Sequence, residues 1–148
     1  MGIIADAVLG NGGSVIGIIP SFMEKWEVQH NGLTELHVVE TMHERKQLMA
    51  ELSDAVIALP GGWGTMDELF EILTWKQLSL HQMPVGLLNT NGFYDPLLAM
   101  IDKMVDEGFL KPVNRDMLLV DDNFDSLLNR LEQAAYPDFP VGKWIDKA

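Results

Sequence analysis

The sequence predicts an α/β fold: a doubly wound parallel sheet in three α/β/α layers. Short apolar, β-branched runs of about four to six residues alternate with helical stretches of about ten to sixteen, the pattern of parallel strands buried on both faces. Two of those runs stop at proline, one at Pro20 and one at Pro60-Gly61-Gly62. The second stop opens a glycine-rich segment where a strand turns into a helix. That is the edge at which open α/β sheets bind their ligands.

In chain order, residues 1–9 read as a short apolar helix without an N-terminal cap. The run Gly10-Asn11-Gly12-Gly13 stops it, glycine supplying the positive φ a helix end wants. Residues 14–19 are predicted to be a buried strand closed by Pro20. Residues 21–35 show no clear period and are predicted as a loop with room for one helical turn, and residues 36–39 as a second strand. Residues 41–52 have helical composition, with Thr41 placed to cap and Glu44 three residues on. Residues 55–59 are a buried strand. Residues 65–80 are a helix, with Met66, Leu69, Phe70, Leu73 and Leu78 near helical spacing. Strands at 85–88 and 117–120 alternate with helices at 94–107 and 124–135. The alternation is that of a Rossmann-like domain. No repeat or linker interrupts it, so residues 1–136 are expected to form one domain and residues 137–148, with Pro140 and Gly142, an irregular tail.

Composition bounds the function. A chain of 148 residues can bury one sizeable core but not two. With 47% hydrophobic residues and a mean hydropathy of +0.07 it reads as globular, and its apolar runs fall far short of the roughly 20 residues a membrane span needs. No basic patch precedes an apolar core at the N-terminus, so no secretory leader is visible and a cytoplasmic location is expected. The lack of cysteine excludes a disulfide scaffold, a thiolate zinc site and a cysteine nucleophile. A formal charge of −12 argues against polymeric nucleic acid as a partner. It leaves room for a single phosphate held by backbone N–H groups at a helix start. His30, His37, His43 and His81 show no metal-ligand spacing, and no G-x-S-x-G elbow is present. Lys76 carries no mark of a Schiff-base lysine.

The sharpest motif is P-G-G-x-G-T-x-x-E, residues 60–68. Gly61, Gly62 and Gly64 let the backbone approach an anion closely, and Thr65 is expected to cap the helix and offer a hydroxyl. The pattern is neither a Walker loop nor the dinucleotide G-x-G-x-x-G. The same residues also suit an ordinary glycine turn with acidic residues at a helix start. Asp67 and Glu68 point about 100° apart on a helix, so they cannot both face one ligand at the loop equally. A carboxylate beside a phosphate is uncomfortable unless it has work to do, and stabilising an oxocarbenium-like transition state is such work. The second constellation is M-H-x-R-K at residues 42–46. Arg45 can offer a rigid fork to phosphate or purine, although, taken alone, these residues are better explained by a solvated helix face with ordinary ion pairs.

Taken together, M-H-x-R-K, the P-G-G-x-G-T-x-x-E loop and the following L-T-W-K-Q-L resemble the LOG family, often labelled possible lysine decarboxylase. The resemblance extends to V-I-G-I-I-P at 15–20, P-V-G-L-L-N at 84–89 and D-E-G-F at 106–109. It implies a Rossmann-like homodimer that hydrolyses N6-modified adenosine 5′-monophosphates, or AMP, to free base and ribose 5-phosphate, with no metal or redox cofactor. Its essential arginine and glutamate fall on Arg45 and Glu68. Met42, Lys46, Gly61, Gly62, Trp63, Gly64 and Thr65 fall on substrate-binding positions, and Glu27 and Thr74 match further contacts. Such proteins begin with a strand, a helix, a second strand and a loop ending G-x-x-G-L-M-G, of which Met1-Gly2 would be the last two residues. By that measure roughly forty residues, including a central strand, are absent here, which would leave strand edges unpaired. A nucleotide or molybdenum-cofactor carrier of the same fold is the alternative.

Overall fold

The computed structural model describes residues 1–23, 30 and 32–134. Glu27, Ala135 and the tail expected at 137–148 lie outside the described residues. The chain divides into two compact units, Met1–Leu52 and Ser53–Ala148.

In the first unit, helix α1 (Gly2–Gly10) leads to strand β1 (Ile16–Pro20), strand β2 (Glu35–Val39) and helix α2 (Met42–Glu51). A short 3₁₀ turn at Ser21–Met23 supplies the helical turn expected in that loop. β1 and β2 are parallel, with Ile16 opposite Glu35 and Pro20 opposite Val39. α1 ends as its glycines require: Gly12 takes φ +79°, and the Gly13 N–H reaches back to the Val8 carbonyl at 2.9 Å. α2 starts as Thr41 and Glu44 predict. The Thr41 hydroxyl accepts from the Glu44 N–H at 3.1 Å, and the Glu44 carboxylate accepts from the Glu40 N–H at 2.8 Å.

The second unit runs β3 (Val56–Ala58), α3 (Trp63–Gln77), β4 (Val85–Leu88), α4 (Asp95–Asp106), α5 (Pro112–Arg115), β5 (Leu118–Asp121) and α6 (Phe124–Gln133). Its three strands form one parallel sheet in the order β3-β4-β5. The α/β class and the parallel pairing are as predicted, with the described strands gathered in two sheets, one in each unit. β4 is central in its sheet, and Val85 and Leu87 are fully buried. The intervening Gly86 faces α6. A methyl group there would come within 3.1 and 3.2 Å of Leu127 and Leu131, so the missing side chain lets α6 lie close on the strand.

Helix α3 departs from expectation at both ends and in its buried face. It begins two residues earlier than predicted, with Gly62 rather than Thr65 at the N-cap, and stops at Gln77 rather than Leu80. The stop is set by Ser79, which adopts φ +60° without being glycine. The Leu80 N–H then bonds the Trp75 carbonyl and the Ser79 N–H the Lys76 carbonyl, each at 2.9 Å, closing the last turn. The buried stripe is Leu69, Ile72 and Lys76, while Phe70 and Leu78 are exposed. Short α5 was not anticipated from the sequence.

Candidate functional site

The glycine loop joins β3 to α3 within the second unit. Because Gly62 is the N-cap, Trp63, Gly64 and Thr65 form the first turn of α3, and the helical bond from Met66 N–H runs to the Gly62 carbonyl at 3.1 Å. The N–H groups ahead of Met66 have no intrahelical acceptor. Gly62 has no side chain to cap them, and Thr65 does not do so either. Instead the Thr65 side chain folds back over Gly61, where a methyl group would stand 2.2 Å from its hydroxyl oxygen. Gly61 is therefore required by packing. Gly62 and Gly64 face open space, with nothing within 4 Å of a methyl group built on either. Neither needs a left-handed backbone. The outcome is a helix start whose donors and bare backbone are open to an incoming anion.

Glu68 stands three residues beyond Thr65, roughly 4.5 Å along the axis and 60° around it. It is half-buried and Asp67 is exposed. Asp67 lies about 160° around the helix from Thr65, so Glu68 is the carboxylate nearer Thr65's face. Trp63 is 92% exposed. Thr74 lies about 180° around α3 from Thr65, so one helix does not bring it to the loop. Its hydroxyl donates to the Phe70 carbonyl at 2.7 Å.

Behind the loop sits Tyr94, 2% exposed, whose hydroxyl donates to the Leu59 carbonyl at 2.5 Å. Burial pushes this phenol's pKa up, and a hydrogen bond from the Gly61 backbone partly opposes the rise. Sequence reasoning missed Tyr94. Its signal was the cluster of turn formers at residues 89–92 immediately before it.

Lys76 was also missed. Its spacing from Leu69 and Ile72 puts it on the buried stripe, and it is 3% exposed. Burial lowers its pKa to about 8. The amine is engaged with the Gln82 carbonyl at 3.3 Å and with that of Met83, fastening the segment between α3 and β4. His81 joins the same segment. Its Nε2 lies 2.9 Å from the Ile72 carbonyl, and its Nδ1 accepts from the Met83 N–H at 3.2 Å. These bonds assign a neutral ring protonated on Nε2. Burial lowers the His81 pKa, with the Ile72 bond opposing and the Lys76 charge adding to the effect.

In the first unit, Met42, Arg45 and Lys46 stand at i, i+3 and i+4, on one face of α2, and all three are half-buried. His43, on another face, is exposed. Arg45 reaches an apolar trough of about 680 Å³, whose walls include Ile4, Val8, Ile16 and Ile18. His30 opens on the same trough and pairs through Nε2 with Asp6 at 2.8 Å. Among the described residues no group of three His, Asp or Glu side chains could hold a metal ion, and no helix is long and apolar enough to cross a membrane.

The family model described as "possible lysine decarboxylase" matches residues 1–131. The chain belongs to that family. Among its curated relatives, the possible lysine decarboxylase family chain is similar to a cytokinin riboside 5′-monophosphate phosphoribohydrolase of Rhodococcoides fascians. The two are 55% identical over 121 residues, 81% of this chain and 61% of that protein. A probable cytokinin riboside 5′-monophosphate phosphoribohydrolase of Oryza sativa subsp. japonica is 49% identical over 133 residues, 90% of this chain and 60% of the relative. A cytokinin riboside 5′-monophosphate phosphoribohydrolase of Arabidopsis thaliana is 48% identical over 133 residues, 90% of this chain and 62% of the relative. The matched part of the chain thus spans about three-fifths of the length of these relatives. The three relatives carry the name of a hydrolase.

Proposed function

We propose that this protein hydrolyses the N-glycosidic bond of adenosine 5′-monophosphate or its N6-modified forms, releasing the free base and ribose 5-phosphate. The observation that carries the reading is the start of α3. Uncapped N–H groups and two open glycines stand there beside a carboxylate less than one turn beyond Thr65. The names of the relatives agree with it.

In this reading the phosphate rests on the N–H groups of Gly62, Trp63, Gly64 and Thr65, where the positive end of the helix dipole favours it. The ribose then extends toward Glu68. As the bond from C1′ to the base nitrogen breaks, its electron pair leaves with the base and C1′ gains positive charge. The Glu68 carboxylate stabilises that charge and orients the attacking water. The water oxygen bonds to C1′, one of its protons is released, and the departing base takes up a proton. Atoms and charge balance with no other reactant. The loop itself carries only Asp67 and Glu68 as charged side chains, and Arg45 and Lys46 are proposed as substrate-handling cations on the M-H-x-R-K family motif alone.

The protein acts as a homodimer in this proposal. Trp63, Phe70 and Thr74 line one exposed side of α3, and a second copy covering it would give Thr74 a route to a substrate that its own loop does not offer. The deciding experiment is incubation with AMP and with N6-isopentenyladenosine monophosphate, followed by chromatography for free base. Glu68→Gln keeps the shape and removes the charge, and is expected to slow release by about 100-fold or more. Unchanged turnover in that variant would sink the proposal.

A further inference from the structure

We propose that Tyr94, aimed by Asn89 and Asp95, is a positioning residue that fixes the path of the glycine loop from behind, so that its N–H groups converge on a phosphate. The inference rests on the phosphate reading of that loop. Leu59 lies one residue past the β3 ladder and Pro60 has no N–H, so the chain leaves the sheet where backbone pairing has run out. One side chain meets the exit on both sides of the proline. The Tyr94 hydroxyl donates to the Leu59 carbonyl before it, and the Gly61 backbone after it stands close enough to the phenol to oppose the rise in its pKa. The opposite side of Gly61 is occupied by Thr65. Gly61 is thereby held between two side chains, and the three residues after it follow from that anchor.

A tyrosine is an expensive way to fill this space. A buried hydroxyl is unfavourable unless it is bonded, and phenylalanine would pack the same ring. The ring does pack, edge-on against Phe93 with centroids 4.9 Å apart. The turn that presents it is built at further cost. Asn91 adopts φ +54° and Gly92 φ +69°, both left-handed. A methyl group on Gly92 would stand 2.5 Å from the Asp95 carboxylate. Asn89 closes the turn, accepting from the Tyr94 N–H at 2.7 Å while its amide donates to Asp95 at 2.7 Å. Left-handed backbone and two polar side chains converge on the placement of one phenol, and local strain of this kind marks positions whose geometry is used.

Tyr94→Phe keeps the ring and deletes the clamp. Two readouts separate positioning from packing: hydrogen exchange of the loop amides, which needs no ligand, and the ratio of AMP to adenosine affinity by calorimetry. The variant is expected to exchange faster at Gly61 and Gly62 and to bind AMP about 2- to 10-fold more weakly, the range of one hydrogen bond, with adenosine affinity unchanged. Wild-type exchange together with a wild-type AMP-to-adenosine ratio would overturn the proposal, even if the variant melted earlier. If wild-type protein binds AMP and adenosine alike, the phosphate reading fails, and the ligand-free exchange decides the clamp by itself. Should the phenylalanine variant not fold, Asn89→Ala asks the same question from the turn. It should loosen the same amides, and unchanged exchange there refutes the role.

Discussion

Gly64 is the second residue of α3, and a methyl group built on it meets nothing within 4 Å. Its φ lies outside the left-handed region, so alanine fits the backbone without strain. Glycine in a helix is worse than alanine by about 0.5–1 kcal/mol, through the freedom the unfolded chain loses. In a first turn the lower figure applies. Gly64→Ala should therefore stabilise the chain by about 0.5 kcal/mol, a rise of roughly 1–3 °C in Tm for a protein of this size. The ligand should respond in the opposite direction. A phosphate oxygen bonded to these N–H groups sits about 2.9 Å from nitrogen, and the new methyl would crowd that approach. A tenfold loss of AMP affinity, about 1.4 kcal/mol, is expected. Thermal melting reads the first effect and calorimetric titration with AMP the second. If the variant melts lower, the space over Gly64 is not open. If it binds AMP like the wild type, the ligand does not lie on this turn, and the phosphate reading falls with it.

Gly61→Ala should behave differently, because its methyl group would collide with Thr65; a loss of about 1–3 kcal/mol in urea unfolding is expected, and wild-type stability would mean that Thr65 does not press on the loop. The His81 ring supplies a pH dependence. Its folded pKa is lowered, so as pH falls through the ordinary value of 6.5 the unfolded chain takes up a proton that the folded chain resists. Stability from this group is intact above 6.5 and declines below it, and Tm followed from pH 7 to 5 should fall less in His81→Gln than in the wild type.

The sequence made some of this legible because the signals were local. β4 occupies the predicted residues, bracketed by Pro84 and Asn89, and α2 starts where a threonine and a glutamate three residues apart say it should. α3 was misplaced because its ends use residues that do not advertise the role. Its N-cap is a glycine already claimed by the loop motif, and its left-handed terminator is serine. Lys76 was passed over because hydropathy does not look for an ammonium in a core stripe, although its spacing from Leu69 and Ile72 fits one. Tyr94 lies 35 residues from the carbonyl it holds, and no pattern in one chain reveals a contact of that range. The motif itself was legible: Gly61 to Thr65 and Glu68 lie together at one helix start, and Met42, Arg45 and Lys46 share one face of another. Thr74 was named from the family resemblance alone; it lies about 180° around α3 from Thr65, and its route to a substrate belongs to the proposed second copy.

A helix that opens on glycine delegates its first turn to the surrounding solution. Serine or aspartate at position 62 would have satisfied the leading amides from within the chain and competed with any visitor. With Gly62 there, water does so weakly and an anion does so well, and whatever binds the folded form alone adds to its stability by mass action. On the proposed phosphate reading, the order of α3 at its leading edge is coupled to solute concentration, and the protein is expected to melt higher in phosphate than in a zwitterionic buffer of the same ionic strength.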